Sequence, residues 1–287
     1  MERAVEAVAQ AADQGAGLVV FPESWLQGYP YFAGLSVMDP TYQAFRDQLW
    51  RCAIAIDDPV LQPLLDAAAQ HQCAVSMGLQ ERLGGSIFNT QLLIGASGEH
   101  LQVRRKLVPT TVERTVWARG DGSDLAVSDT PVGKVGGLMC FEHQMAPARY
   151  VLCSLGCEVH TSVWPGHAFL DGMIDASTRH LAHENACYVL VAREVMSADR
   201  LPDGSPEVGN AAGHFETHGG SAIIAPGGEY IVPPVFDEET ILVADLTGDI
   251  GLAKWWMDGT GHYARPDVFQ LLWHNQPKPS VATDDES

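Results

Sequence analysis

Basic residues are scarce in this chain. Lysine and arginine total 17 against 36 aspartates and glutamates, which leaves a formal net charge of −19 over 287 residues. No basic stripe exists to neutralise a phosphate backbone, so nucleic acid is not expected as a partner. Long apolar runs are missing too. No stretch approaches membrane-spanning length, and the opening segment MERAVEAVAQAADQG reads as an amphipathic helix without an apolar signal core. A cytoplasmic protein with no membrane partner is the expectation. A Ser/Pro-rich linker and internal repeats are also absent. With 46% hydrophobic residues, this predicts a single domain over residues 1–275. Residues 276–287 form a polar tail expected to be disordered.

The cysteines lack a framework. There are six, Cys52, Cys73, Cys140, Cys153, Cys157 and Cys187, and in a cytoplasmic chain they are expected to be free thiols. Cys153 and Cys157 are spaced like a metal pair, but no second pair has metal-site spacing. The segment His180-Leu181-Ala182-His183-Glu184 has the content of a zinc helix in the wrong order, HxxHE rather than HExxH or HxxEH. Neither a metal nor an organic cofactor is expected.

What is present is an alternation of buried strands and amphipathic helices, an α/β pattern. Helices are expected over 2–14, 41–56, 59–70, 145–155 and 170–184. Asp58 and Pro59 supply a cap and a first turn. Strands are expected over 16–21, 73–80, 86–94, 101–103, 135–139, 158–162, 188–192 and 221–225, with a last one at Thr240–Asp245. Residues 104–130 read as a long polar loop, and loops of that length in compact domains are usually functional.

Three of the strands run into a reactive residue: LVVF-Pro22-Glu23, LQVRR-Lys106 and GGLM-Cys140. A cysteine where a sheet hands over to a loop sits where α/β enzymes place reactive groups, although an unselected buried cysteine is more often packing. Thiol-based acyl chemistry needs what the other two segments add. The thiol requires a base or a positive field before it attacks. A carboxylate can take its proton and relay it. An ammonium can stabilise charge on a tetrahedral intermediate. His143, three residues beyond Cys140, is an alternative base. From the residues alone, Glu113 is a surface glutamate beside Arg114, and Trp164 is as well explained by core packing as by pocket lining.

The three segments resemble the Glu-Lys-Cys triad of the nitrilase branch of the carbon–nitrogen hydrolase (nitrilase) superfamily. FPESWLQGYP resembles its glutamate motif and RKLVPTTVERTVWARGDGSDL its lysine loop. GGLMCFEH resembles its cysteine elbow, and VWPG and GHYARPDVF resemble later motifs. The match covers roughly residues 1–272. It implies a four-layer αββα sandwich, with Cys140 as nucleophile, Glu23 as general base and Lys106 as electrostatic stabiliser. Glu113 would be the second glutamate, orienting Lys106 or the attacking water. The Phe141 amide would share the developing anion with Lys106, Tyr29, Thr111 and Trp164 would line the substrate pocket, and Glu142 would anchor the elbow.

The implied reaction converts a small organic nitrile to a carboxylic acid and ammonia through a thioimidate and a thioester, without metal or cofactor. An amidase or an amide-forming nitrile or cyanide hydratase with the same triad, and a weakly active scaffold-like member, are alternatives at this point. The resemblance also implies a homodimer or larger homo-oligomer. It implies as well an apolar strand ahead of the first helix, beside the strand that carries Glu23. This sequence opens inside that helix, so an uncovered sheet edge next to Glu23 is expected.

Overall fold

Two apolar runs far apart in sequence, Leu18–Val20 (β1) and Ala74–Leu83 (β2), pair in parallel and found the first sheet. The chain turns back through Gly84-Gly85 into Ser86–Ile94 (β3), then into His100–Arg105 (β4), for a strand order of β1-β2-β3-β4. The computed structural model describes residues 1–277. The polar tail expected over 276–287 lies almost wholly outside the described residues.

The second sheet has a parallel centre. Ser128–Thr130 (β5) is antiparallel to Gly133–Met139 (β6), which pairs in parallel with Val159–Trp164 (β7), and β7 with Tyr188–Arg193 (β8). Beyond β8 lie Val195–Met196 (β9), Thr217–Ile224 (β10) and Tyr230–Phe236 (β11); β10 is antiparallel to β8, β9 and β11. The order is β11-β10-β8-β7-β6-β5. The central strands are buried on both faces and therefore lack the alternation of a half-exposed strand, although β7 carries the buried polar His160, Thr161 and Ser162.

Glu2–Asp13 (α1) presents Ala4, Val8 and Ala11 as one buried stripe. With Leu64, Ala67 and Ala68 of Gln62–His71 (α3), Ala4 and Val8 pack on Val75, Met77, Leu79, Leu92 and Ile94 of the first sheet. Ala146–Ser154 (α4) and Asp171–Glu184 (α5) cover the second sheet through Val151, Leu152, Ile174 and Leu181. The two sheets meet through Val20, Leu93, Val135, Met139, Val159 and Val163. The result is the αββα sandwich. Among the described residues no helix is long and apolar enough to cross a membrane. All six cysteines are free thiols.

Four local expectations need correction. Residues 59–70 are not one helix: Asp58 caps a 3-10 turn, Pro59–Leu61, and α3 begins at Gln62, where Pro63 can occupy the first turn. The helix expected over 41–56 is Pro40–Cys52 (α2). Thr240–Asp245 pairs with no strand among the described residues and is not itself a strand. The last strand is instead β11, hidden in the sequence by Pro233 and Pro234, which fall between the paired Val232 and Val235 where the register slips. A strand at the edge of its sheet tolerates such residues. Ile250–Trp256 (α6), capped by the Asp249 side chain, was not expected at all.

Candidate active site

Glu23 lies just beyond β1, at an edge of the first sheet, yet it is held from several sides. Phe21 N donates to Ser76 O at 2.8 Å and Leu26 N to Gly78 O at 3.0 Å, so the Pro22–Ser24 turn lies directly on β2. Gly78 makes that approach possible. A Cβ there would stand 2.1 Å from Pro22 O and 2.5 Å from Ser24 N. The carboxylate is fully buried. Its Oε1 accepts from Asn89 Nδ2 at 2.6 Å and from Lys106 Nζ at 2.7 Å, while Asn89 Oδ1 accepts from Ser24 Oγ at 3.1 Å. The edge of β1 is open among the described residues, but β2, β3 and the end of β4 fix Glu23 without a further strand.

Lys106 follows β4 directly. Its backbone N–H donates to Asn89 O at 2.9 Å and its carbonyl accepts from Gly120 N at 2.8 Å. The ammonium is wholly buried and also donates to Glu113 Oε2 at 2.7 Å, with the Trp117 ring 5.4 Å away. Glu113 is not the surface residue its neighbours suggest, being 2% exposed. The turn Thr111–Thr115 points it inward, where it accepts from Thr110 N at 2.6 Å and from the Tyr29 hydroxyl. Arg114, its presumed partner, donates to Pro109 O instead. Thr111 is exposed and makes none of these hydrogen bonds.

Cys140 directly follows β6 in the left-handed region, with φ at +51°, and opens the 3-10 turn Cys140–Gln144. Such a conformation costs energy for a residue with a Cβ, so its surroundings must impose it. Glu142 does this. Its carboxylate accepts from Met139 N at 2.8 Å, from Leu107 N at 2.6 Å and from Arg104 Nη2 at 2.6 Å, tying the elbow to the lysine loop. The Cys140 Sγ and one carboxylate oxygen from each of Glu23 and Glu113 all lie within 4.8 Å of one another. That donor set could hold a cation, and the Lys106 ammonium lies between its two carboxylates.

His143 cannot serve as the alternative base. Its Nδ1 faces the Cys140 carbonyl at 2.7 Å and its Nε2 faces His160 Nε2 at 3.2 Å, so both ring nitrogens are engaged. Trp164 is fully buried at the end of β7, with its ring stacked on His143 at 4.8 Å and 6.4 Å from Phe141. Asn89 and Trp117 were missed in the sequence. Asn89 had no separate signal, being one of four polar residues, with Ser86, Thr90 and Gln91, in the strand SIFNTQLLI.

Charge in the cluster follows from burial. Desolvation pushes Glu23 up to about 7, Glu113 adds to the rise, and Lys106 and Asn89 oppose it. Burial acts to lower Lys106, but the carboxylates of Glu23 and Glu113 outweigh it and hold the ammonium above its ordinary value. Burial pushes the Cys140 thiol well above its ordinary range, with Lys106 opposing and both glutamates adding. At rest the site therefore holds a neutral thiol beside a carboxylate poised near neutrality, not a preformed thiolate.

Residues 1–254 match the model of the carbon-nitrogen hydrolase family. The chain belongs to that family. It is accordingly a hydrolase acting on carbon–nitrogen bonds. It is 36% identical to an aliphatic nitrilase of Rhodococcus rhodochrous, over 99% of this chain and 80% of that one. It is 33% identical to nitrilase 3 of Arabidopsis thaliana, over 98% of this chain and 84% of that one. The solved structure of Saccharomyces cerevisiae Nit3, a member of branch 10 of the nitrilase superfamily, superposes with a TM-score of 0.70. That comparison covers 92% of this chain and 89% of the yeast chain at 18% identity, a likeness of fold.

Proposed function

We propose that this carbon–nitrogen hydrolase is a nitrilase, converting a small organic nitrile to a carboxylic acid and ammonia. The observation that carries the reading is the cluster itself: a thiol on a left-handed elbow, two carboxylate oxygens within 4.8 Å of it and of each other, and one ammonium shared by both carboxylates. The nitrilases at 33–36% identity support it.

In this reading Glu23 takes the Cys140 proton as the sulfur attacks the nitrile carbon. One C–N π pair moves to nitrogen, which receives that proton, and a thioimidate forms. Water activated by Glu23 adds to the thioimidate carbon. Lys106 and the Phe141 amide stabilise the tetrahedral intermediate. Nitrogen, protonated again, leaves as ammonia, and a thioester remains. A second water, deprotonated by Glu23, cleaves the thioester to the acid and restores the thiol. Glu113 orients Lys106 and the water. Tyr29, Trp164 and Thr111 belong to the substrate side of the site, and the aromatic pair suits an apolar group beside the nitrile.

A panel of aryl, arylacetic and aliphatic nitriles, scored for ammonia, acid and amide, tests the assignment. Acid and ammonia in equal amounts are expected, whereas amide as main product would make the enzyme a hydratase. Turnover of amides alone would make it an amidase. Ammonia from none of them, together with slow and uniform alkylation of all thiols, would favour a scaffold.

The position of Glu23 near 7 sets the acid limb of the pH profile. The base works ionised, its carboxylate exists above about 7, and it is lost as pH falls through that value. We expect kcat/KM to be roughly tenfold lower at pH 6 than at pH 8. A flat profile over that interval would remove Glu23 as the base.

A homo-oligomer belongs to the same proposal. Trp255 and Trp256 of α6 are 71% and 73% exposed, and Phe269 and Leu272 are 77% and 81% exposed, more apolar surface than a monomer usually leaves to water. Gel filtration is expected to show a dimer or larger species, and a monomer at micromolar concentration would count against it.

A further inference from the structure

Behind the elbow lie two buried imidazoles that the reaction above does not use. A carbonyl oxygen only accepts hydrogen bonds, so the 2.7 Å contact to Cys140 O places the His143 proton on Nδ1. Burial lowers His143 to about 4 and His160 well below its ordinary value, so both rings are neutral. His143 Nε2 is then an acceptor, and the proton in the 3.2 Å contact between the rings comes from His160 Nε2. That leaves His160 Nδ1 as an unprotonated lone pair, and it is indeed buried without a hydrogen-bond partner among the described residues. The couple has a single direction: His160 donates to His143, and His143 donates to the Cys140 carbonyl. The surroundings fix both rings. Trp164 stacks on His143, and His160 is held on β7 opposite Gly136 of β6.

The Cys140 carbonyl and the Phe141 N–H are the two ends of one planar peptide unit. A hydrogen bond to the carbonyl end draws electron density toward oxygen and makes the N–H end a stronger donor. It also fixes the plane of a peptide that follows a residue at φ +51°.

We propose that His143, oriented by His160, is a positioning residue that fixes and polarises the Cys140–Phe141 peptide, so that the Phe141 amide stabilises the charge developing on the substrate. The proposal rests on the reading of Cys140 as nucleophile and of that amide as an anion donor.

The test separates acyl chemistry from thiol reactivity. Alkylation of Cys140 by iodoacetamide forms a C–S bond and expels iodide, with no anion for the Phe141 amide to hold. Nitrile hydrolysis needs that amide. For His143→Leu we expect kcat to fall about tenfold, with KM and the alkylation rate within about twofold of wild type. In His143→Asn the side-chain Nδ2 takes the place of Nδ1, and kcat is expected to stay within about threefold of wild type. Three results would overturn the proposal: an unchanged kcat in His143→Leu, a parallel fall of kcat and alkylation there, or an equal loss in His143→Asn. Should His143→Leu not fold, His160→Phe removes the donor to His143 with a ring of similar size. It is expected to lose about threefold in kcat alone, and no loss overturns the proposal. Wild-type turnover in Cys140→Ala would refute the underlying reading, whereas its loss beside an unaffected His143→Leu refutes only the role of His143.

Discussion

Cys140→Ala is expected to reduce ammonia release from nitriles by roughly 10⁴-fold or more while leaving the fold intact. The activity loss follows from geometry. Cys140 is the one thiol placed within 4.8 Å of both a Glu23 and a Glu113 carboxylate oxygen. The five other cysteines lie elsewhere in the fold, and burial pushes up the thiols of Cys73, Cys153, Cys157 and Cys187, with Lys254 opposing at the last three without overcoming it. His143 is not free to replace the sulfur, since both its ring nitrogens are occupied. The stability result follows from the charge state. Because the buried thiol is neutral at rest, its removal leaves no uncompensated charge. Alanine keeps the Cβ, so the left-handed strain is unchanged, and only a small void remains, worth about 1 kcal/mol. The measurements are initial rates of ammonia release and a thermal midpoint. Ammonia release near the wild-type rate would defeat the assignment of Cys140. A collapsed midpoint would show that the elbow depends on the sulfur and not on Glu142.

The legibility of this site varied with the physics behind each residue. Strands β2, β3, β6, β7 and β8 were plain in the sequence because their buried stretches carry short apolar runs without the alternation of a half-exposed strand, although polar residues such as Gln80, Asn89 and His160 interrupt them. Strand β11 was not, because Pro233 and Pro234 argue against pairing and only the slipped register at a sheet edge absorbs them. The stretch 240–245 made the opposite error, with an apolar run that found no partner strand. Within the site, Cys140 and Lys106 announced themselves as polar residues at the ends of apolar strands. Glu113 did not. Its burial depends on a 3-10 turn folding it under Thr110 and toward Tyr29, a contact between segments far apart in sequence. The direction of the His143–His160 couple was equally hidden. It depends on which atoms the two rings face between the Cys140–Gln144 turn and β7, and neither spacing nor composition encodes that.

Lys106→Met is expected to combine the largest stability loss with a loss of activity of about 10³-fold. Methionine matches the lysine stem in length and apolar character, so the change removes charge more than volume. What it leaves behind is costly. Glu23 and Glu113 share a buried site whose only ion-pair partner among the described residues is Lys106, and breaking such a pairing costs about 3–5 kcal/mol. Two carboxylates this close cannot both stay ionised in a dry site, so the variant must take up a proton on folding. The sign of the pH dependence follows. A carboxyl whose folded pKa is raised above its unfolded value binds more protons in the folded state, so stability falls as pH rises above the unfolded carboxylate range. Lys106 restrains that effect in the wild type, where Glu23 is already raised to about 7. The deficit of the variant should therefore be larger at pH 8 than at pH 5.5. Catalysis fails for the same reason: a Glu23 that holds its proton cannot accept one from Cys140, and the tetrahedral intermediate loses its ammonium. Denaturant midpoints at the two pH values, with ammonia release alongside, make the test. A deficit that did not depend on pH would mean that Lys106 serves packing rather than charge, and the electrostatic reading of the cluster would have to be abandoned.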